Sequence, residues 1–211
     1  MTRSELEAQI AAIDALLKEN YRGRQYKQDL LSQRAVFQQS LDEIITGHAA
    51  HNIDQGFIDY NDVGTSSSPI ALTVDTWTTI TNDGAGAFTN KVYGPVGVSD
   101  LMSSSGEFDF SELPLGTAVL VRNDYTVVPA VNNTILDARY LLGIGAGEYA
   151  LGSTVATLSH GSGQPYQFAL NTSFLYMGDT NTRDNVGRFQ LRTSYDATVT
   201  NAGSVIHVLG T

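Results

Sequence analysis

The chain has 211 residues, a formal net charge of −10 and no cysteine. This length is enough for one or two domains with a sizeable core, and the lack of cysteine excludes disulfides and thiolate metal sites. Residues 51–211 carry a net charge of −9, which repels phosphate backbones, so we expect no nucleic-acid partner. Neither a signal-peptide pattern nor an apolar run of the ~18–20 residues that span a bilayer is present, so we expect no membrane insertion.

Glycine and proline divide the chain into two parts with different patterns. Residues 1–50 contain no proline and two glycines, whereas residues 51–211 contain all five prolines and the other eighteen glycines. The first part has helical spacing and the second has short alternating runs. We therefore predict a helical leader over 1–50 for attachment or oligomerisation, a polar linker over 51–67, and a β-rich body over 68–211.

The first predicted element is a helix over residues 4–19. Ser4 followed by Glu7 forms a capping-box pattern, and the stretch from Asn20 to Gly23 reads as a helix end. Apolar residues then recur at spacings of four, three and four, which places them on one stripe of the helix. This stripe is a candidate attachment surface and consists of Leu6, Ile10, Ile13 and Leu17.

Two interpretations remain for the leader after Gly23. In the first, which we favour, a second helix runs from about 27 to 46 and adds Phe37, Leu41 and Ile44 to the candidate attachment residues. In the second, residues 24–39 form two short strands and Ser40 caps a further helix. That order resembles the small head–tail joining proteins of tailed phages, in which a similar Ser-Leu-Asp-Glu stretch opens the second helix.

Nine short runs rich in β-branched and aromatic residues predict about eight strands in the body. They lie at 70–74, 76–80, 107–113, 117–128, 134–145, 148–159, 166–177, 187–200 and 204–210. Glycine-rich connections without a long helical crossover favour an antiparallel jelly-roll sandwich, mainly β in class. The run 117–128 is apolar on both faces, which indicates a strand between its own core and a neighbour such as another subunit. The last strand is expected to be central.

Four segments of the body resemble a recurrent C-terminal module of tailed-phage virion proteins. They are TWTTITNDGAGAFTN (76–90), FDFSELPLGTAVLVRNDYTV (108–127), LLGIGAGEYALG (141–152) and LYMGDTNTRDN (175–185). The resemblance implies a fold similar to the trimeric jelly roll of tumour-necrosis-factor-like domains, and a homotrimer. It also implies a non-enzymatic virion protein, assembled in the host cytoplasm and docked to the head, neck or tail.

The alternative function is a receptor- or carbohydrate-binding module that contacts the host surface. An exposed cluster of aromatic loop residues would favour it, and the candidates are Tyr60, Tyr93, Tyr149 and Tyr166. Trp77, the one tryptophan, is expected in the core or under a neighbouring loop.

Four arginines lie among apolar residues of the predicted strands, where a guanidinium usually needs a carboxylate partner. Contacts between subunits with Asp109, Asp124 or Asp137 are one way to supply those carboxylates. The four candidate inter-subunit residues are Arg122, Arg139, Arg188 and Arg192.

No catalytic, cofactor-binding or metal-binding residue is predicted. His48 and His51 have a spacing that suits a metal on a helix, but a helix end is the favoured reading. The Asp- and Asn-rich loop 177–187 contains oxygen ligands suited to Ca²⁺, although such residues beside glycine more often cap turns. The acids of 107–112 are of the kind found in glycosidases, yet neighbouring acids usually form a solvated face.

Overall fold

The computed structural model describes residues 3–18, 31–38, 55–169 and 172–210. The chain separates into two compact units, Met1–Ile53 and Asp54–Thr211. Here we call the second unit the body. In the described part of the chain, no helix has the length and apolarity that a bilayer crossing requires.

The first unit contains two described helices, α1 (Arg3–Lys18) and α2 (residues 31–38). The predicted helix over 4–19 is therefore confirmed to within a residue at each end. The helix at 31–38 agrees with the first interpretation of the leader and contradicts strands over those residues. An ion pair joins the two helices, since Arg34 Nε donates to Asp14 Oδ1 at 2.6 Å.

The predicted attachment stripe is described in part. Ile10 and Ile13 are buried and Phe37 is half-buried. Leu6 and Leu17 are residues of α1. Leu41 and Ile44 lie outside the described residues, as do His48 and His51. A docking role for these residues stays a prediction.

The described residues of the body form eleven strands and two short helices. The strands are β1 (Gly56–Asn61), β2 (Ile70–Leu72), β3 (Thr78–Thr79), β4 (Glu107–Phe108), β5 (Ala118–Pro129), β6 (Thr134–Leu142), β7 (Tyr149–Leu158), β8 (Tyr166–Phe168), β9 (Thr172–Tyr176), β10 (Gly187–Thr193) and β11 (Ala197–Gly210). The helices are α3 (Gly64–Ser67) and α4 (Thr180–Asp184).

The strands form two antiparallel sheets whose order is that of a jelly roll. Sheet 1 has the order β1-β11-β5, with β8 and β9 both paired to the far edge of β5 and β2 paired to β11. Sheet 2 has the order β3-β10-β6-β7, with β4 also paired to β10. The predicted jelly-roll sandwich is confirmed, and β11 is central because it pairs with both β1 and β5.

Two predicted strands are each divided in the structure. The run 187–200 contains β10 and the start of β11, which are separated by a turn at 194–196. Asp196 fixes this turn, since its carbonyl accepts from Ala130 N at 2.9 Å and its Oδ1 accepts from Val74 N at 3.0 Å. The run 166–177 contains β8 and β9, which pair with different parts of β5.

The predicted linker over 51–67 is wrong where the structure describes it. Strand β1 lies within it, and Ile58 and Tyr60 of β1 are 0% and 2% exposed. Polar Asp59 and Asn61 alternate with these two residues on the other face of the strand, and this alternation gives the segment its polar composition. Helix α3 follows, where Thr65 Oγ1 donates to Asp62 Oδ2 at 2.6 Å.

The core of the body lies between the two sheets. It contains the inward residues of both sheets together with the loop between β3 and β5, whose Leu101 and Phe110 are buried. A bulge in β11 bends the central strand, because the pairing with β5 shifts between Asn201 and Gly203. Gly203 has a φ of +147°, and a Cβ there would lie 2.4 Å from the Tyr60 carbonyl oxygen. Only glycine fits this close approach of β1 and β11.

Candidate functional site

A row of apolar and aromatic side chains crosses the outer face of sheet 1. In register, Phe57 of β1 lies opposite His207 of β11, His207 lies opposite Leu120 of β5, and Leu120 lies opposite Phe174 of β9. Directly opposed residues project from the same face of a sheet. Their neighbours along the strands, including Val121, face the core.

The row continues at both ends. Tyr93 stacks on Phe57 with ring centroids 5.3 Å apart, and its carbonyl accepts from Phe57 N at 2.8 Å. Tyr176 lies two residues beyond Phe174 on the same face. We call these six residues the apolar belt: Tyr93, Phe57, His207, Leu120, Phe174 and Tyr176.

The large side chains of the apolar belt face solvent. Phe174 is 59% exposed, Tyr93 58%, Tyr176 54% and Phe57 41%. Single exposed apolar residues are common on protein surfaces, but a continuous row across four strands marks an interaction surface. The outer face of sheet 1 is therefore suited to burial against another protein surface.

A charged cluster lies beside the apolar belt on the same face. Arg122 Nη2 donates to Asp124 Oδ2 at 2.9 Å. Asp59 of β1 lies in the same row as Arg122, because both are opposite Val205 of β11. Desolvation raises the pKa of Asp59; Arg122 lowers it, Asp124 raises it, and the net shift is upward. Among the described residues, Asp124 Oδ1 is buried without a hydrogen-bond partner. This face thus holds more carboxylate than its one arginine neutralises.

The sandwich is open along the edge formed by β7 and β9. Within the described sheets β7 pairs only with β6, and β9 only with β5. The first six residues of β7 are exposed on both faces of the strand. A cavity of about 700 Å³ lies here, lined by residues of β5, β6, β7 and β9. Unpaired strand edges of this kind usually need cover.

Polar groups at the inner end of this cavity form a connected buried network. Asn123 Nδ2 donates to Tyr140 Oη at 2.7 Å, and Ser204 Oγ donates to Asn123 Oδ1 at 2.7 Å. Burial raises the pKa of Tyr140 to about 12, against hydrogen bonds with Ser173 and Asn123 that lower it. Tyr140 is therefore a neutral hydroxyl at physiological pH, held in place rather than poised as a base.

Three of the four arginines predicted at subunit contacts find a carboxylate within their own chain. Arg122 pairs with Asp124, Arg188 with Glu107 and Arg192 with Asp137. The fourth, Arg139, donates instead from Nε to Gln190 Oε1 at 2.8 Å. Pairs within the chain satisfy the need for a carboxylate, so that need no longer supports contacts between subunits, which stay a prediction.

The acids considered for catalysis are separated in the structure. Glu107 holds Arg188, Asp109 Oδ1 accepts from Ser111 N at 3.0 Å, and Glu112 accepts from Ser99. Each carboxylate thus has its own structural partner. The arrangement does not present two of them to a shared cleft.

In the loop 177–187, which was considered for Ca²⁺, the Asp and Asn side chains cap turns, which was the favoured interpretation. Asp179 Oδ1 accepts from Thr182 N at 2.8 Å and starts α4, and Asn181 exchanges two hydrogen bonds with the backbone of Gly147. Arg183 and Asp184 form a salt bridge. In the part of the chain that the structure describes, no three potential metal ligands come together.

The tyrosines considered for receptor binding do not form one cluster. Tyr60 is buried, and its hydroxyl donates to Asp100 Oδ1 at 2.5 Å. Tyr166 is half-buried and packs on the core. Tyr93 belongs to the apolar belt, while Tyr149, at 36% exposure, lies on β7 of the other sheet.

Sequence reasoning did not single out five of the six residues of the apolar belt as site residues. The exception is Tyr93, which was proposed for a different role. The sequence did indicate an outward apolar position for Leu120, because the run 117–128 is apolar on both faces. Phe57 was placed in the linker, and Phe174 and Tyr176 belong to an alternating run whose outer face cannot be identified before the sheet order is known.

No protein-family model matches the chain, and no curated protein sequence matches it. Solved structures that it resembles include Eiger TNF from S. frugiperda, at 11% identity and a TM-score of 0.41, over 74% of this chain and 92% of that one. The VP2 subviral particle of infectious bursal disease virus is similar over 74% of this chain at 12% identity and a TM-score of 0.39.

The chain spans about a third of that viral protein, since the match covers 32% of its length. A CBM4 structure is similar at 16% identity and a TM-score of 0.33, over 72% of this chain and 94% of that one. Likenesses of this size carry no conclusion about partners or ligands.

Proposed function

We propose that this chain is a non-enzymatic structural protein of a tailed-phage virion, a decoration or fibre-like protein. In this proposal the body assembles as a homotrimer and the leader docks the trimer to the head, neck or tail. The observation that carries it is the apolar belt, a continuous exposed row on the outer face of sheet 1. The resemblance of four body segments to a phage virion module supplies the virion context.

The body offers two surfaces, which share Phe174 of β9. One is the apolar belt, and the other is the open edge of the sandwich at β7 and β9, with its cavity of about 700 Å³. When one surface of a chain binds a different surface of the next copy, the contact is heterologous and closes into a ring if the rotation allows. A closed ring of three copies is the form that the resemblance implies.

Burial of the apolar belt would stabilise such a ring by removing apolar area from water, at about 25 cal/mol per Å². The carboxylates of Asp59 on β1 and Asp124 on β5 oppose close packing beside them, because both would lose further contact with solvent. The aromatic end, at Phe174 and Tyr176 of β9, has no such carboxylate in register with it. We therefore place the tightest contact between copies at β9.

Docking through the leader gains from the trimer. Three leaders in one particle bind with an effective concentration set by their spacing, so a weak single contact becomes a stable attachment. Ile10 and Ile13 of the α1 stripe are buried.

Phe174→Glu tests the assembly. A carboxylate there must be buried without a partner when copies associate, which costs several kcal/mol, so association should weaken roughly 100-fold. Sedimentation velocity should show the trimer for the native chain and mainly monomer for the variant at about 10 µM.

Val131→Glu is the matched control, because Val131 is also an exposed apolar residue, at 43%, but lies in the turn between β5 and β6. It should leave the mass unchanged. Circular dichroism should show the same strand signal for both variants. Equal masses for the native chain and Phe174→Glu would contradict the assembly through the apolar belt.

A further inference from the structure

Trp77 lies on the outer face of sheet 2, on two arginines. The Arg139 guanidinium carbon is 4.3 Å from the centre of a Trp77 ring and that of Arg192 is 4.9 Å away. Trp77 is half-buried and does not belong to the core, so of the two positions expected for it, the core is wrong. It was expected there because a lone tryptophan in a strand pattern usually supplies core volume, whereas cation–π contacts hold this ring at the surface.

The backbone before Trp77 is tied to the end of sheet 2. Asp75 N donates to the Thr193 carbonyl at 2.8 Å, and Thr76 N donates to the Thr73 carbonyl at 3.1 Å. Strand β3 then pairs with β10 directly after the tryptophan. The ring is thus held by both its backbone and the arginines.

Arg139 differs from the other arginines whose side chains the structure describes. The others each have a carboxylate oxygen within 4.0 Å, whereas Arg139 has none in that part of the chain. Its Nε is held by Gln190 Oε1, and Gln190 Nε2 in turn donates to Thr79 Oγ1 at 3.1 Å. These contacts fix the plane of the guanidinium, and no described residue accepts a hydrogen bond from its two Nη nitrogens.

The charges around Arg139 limit what it can bind. Arg192 is neutralised by Asp137, whose other oxygen accepts from Thr154 Oγ1 at 2.7 Å. Desolvation lowers the pKa of Arg139, Glu148 raises it and Arg192 lowers it, with a net downward shift. Arg139 stays charged, because an arginine is protonated throughout the physiological range. The two nearby carboxylates, Asp137 and Glu148, disfavour a polyanion at this site.

We propose that Trp77 and Arg139 form a binding site for a carboxylate-bearing sugar, of the uronic or sialic acid class. A guanidinium held in one plane binds a carboxylate through two parallel hydrogen bonds. An exposed part of an aromatic ring packs against the apolar face of a sugar ring. An acidic sugar carries a carboxylate for Arg139 and an apolar ring face for Trp77 in one small molecule.

This site is distinct from the apolar belt, although Arg139 also lines the cavity at the open edge of β7 and β9. It lies on the outer face of sheet 2, on the side of the sandwich opposite the apolar belt. A failure to form trimers would leave Trp77 and Arg139 in place, and an absence of sugar binding would leave the apolar belt in place.

Fluorescence gives a direct test, because Trp77 is the only tryptophan in the chain. The full chain is titrated with galacturonic acid and with 3′-sialyllactose, which each carry one carboxylate, and each is paired with its neutral methyl ester. At least one acidic sugar should give a saturable change in emission, and its neutral counterpart should bind at least roughly tenfold more weakly.

Arg139→Gln should remove that preference for the acidic sugar, and Arg139→Lys should weaken binding because it keeps the charge but loses the paired hydrogen bonds. Arg183→Gln, at a half-buried arginine of α4, is the control and should bind as the native chain does. Thermal unfolding of each variant checks that it is folded.

Three results would overturn the proposal. They are no response to either acidic sugar, equal responses to the acidic and neutral sugars, and an unchanged response in folded Arg139→Gln. A response to sodium acetate or to a glutamate peptide as strong as that to the sugar would also overturn it, since the stacked ring would then contribute nothing.

Discussion

Asp59 and Asp137 lie on the outer faces of opposite sheets, and their carboxyl pKa values move in opposite directions. At Asp59 desolvation dominates and the pKa is raised. At Asp137 desolvation is outweighed by hydrogen bonds from Arg192 and Thr154, and the pKa is lowered. The difference arises because Arg192 is committed to Asp137, whereas Arg122 near Asp59 is committed to Asp124.

The two aspartates should therefore respond oppositely to Asn substitution. A raised pKa in the folded state means that the Asp59 charge opposes folding at about pH 7 and ceases to do so below its unfolded pKa of about 3.9. Asp59→Asn should stabilise the fold by a few tenths of a kcal/mol at neutral pH. This gain should vanish near pH 3.

Asp137→Asn should destabilise the fold by about 1 kcal/mol at about pH 7. A lowered pKa means that the Asp137 contribution is present above the unfolded pKa and is lost as pH falls through the folded value, so the deficit should shrink toward about pH 3. Urea unfolding midpoints at one protein concentration measure both effects. The same sign for the two substitutions at pH 7 would contradict these electrostatics.

At this scale the sequence predicted residue types better than their partners. Arginine within a strand pattern correctly indicated a carboxylate for three of the four residues. The choice of Glu107 for Arg188 depends on the pairing of β4 with β10 across 81 residues. Trp77 and Arg139 are likewise brought together by strand order. The spacing of residues within one segment of the sequence does not predict such a contact.

Strand β1 is the element that most changes the division of the chain. It pairs with the central β11 over six residues and buries Ile58 and Tyr60 in the core. Long runs such as 117–128 were predictable because they are rich in β-branched residues. β1 was missed because its outward Asp59 and Asn61, and the polar residues after it, match a linker composition.

Truncation tests this element. A chain of residues 54–211 should fold, because the second compact unit keeps all eleven strands. A chain of residues 68–211 lacks β1 and should be unfolded or destabilised by roughly 4 kcal/mol or more, since two fully buried large side chains are lost. Thermal unfolding followed by circular dichroism compares the two. Equal midpoints would show that residues 54–67 are dispensable, as a linker would be.

At the scale of the whole molecule, the body has three surfaces of different character. The outer face of sheet 1 carries the apolar belt, the edge at β7 and β9 is open, and the outer face of sheet 2 carries charged pairs around Trp77. The jelly-roll class followed from the number and spacing of the strands. The surfaces did not, because a side chain's face depends on sheet order and register, which local patterns do not contain.

The mass of the full native chain in solution tests the central claim most directly. Sedimentation equilibrium at several concentrations around 10 µM should give a single species of about 68 kDa, three chains of 22.7 kDa each. Burial of the apolar belt in a closed ring accounts for that value. A mass near 22.7 kDa that does not rise with concentration would contradict it, since the belt would then remain exposed to water.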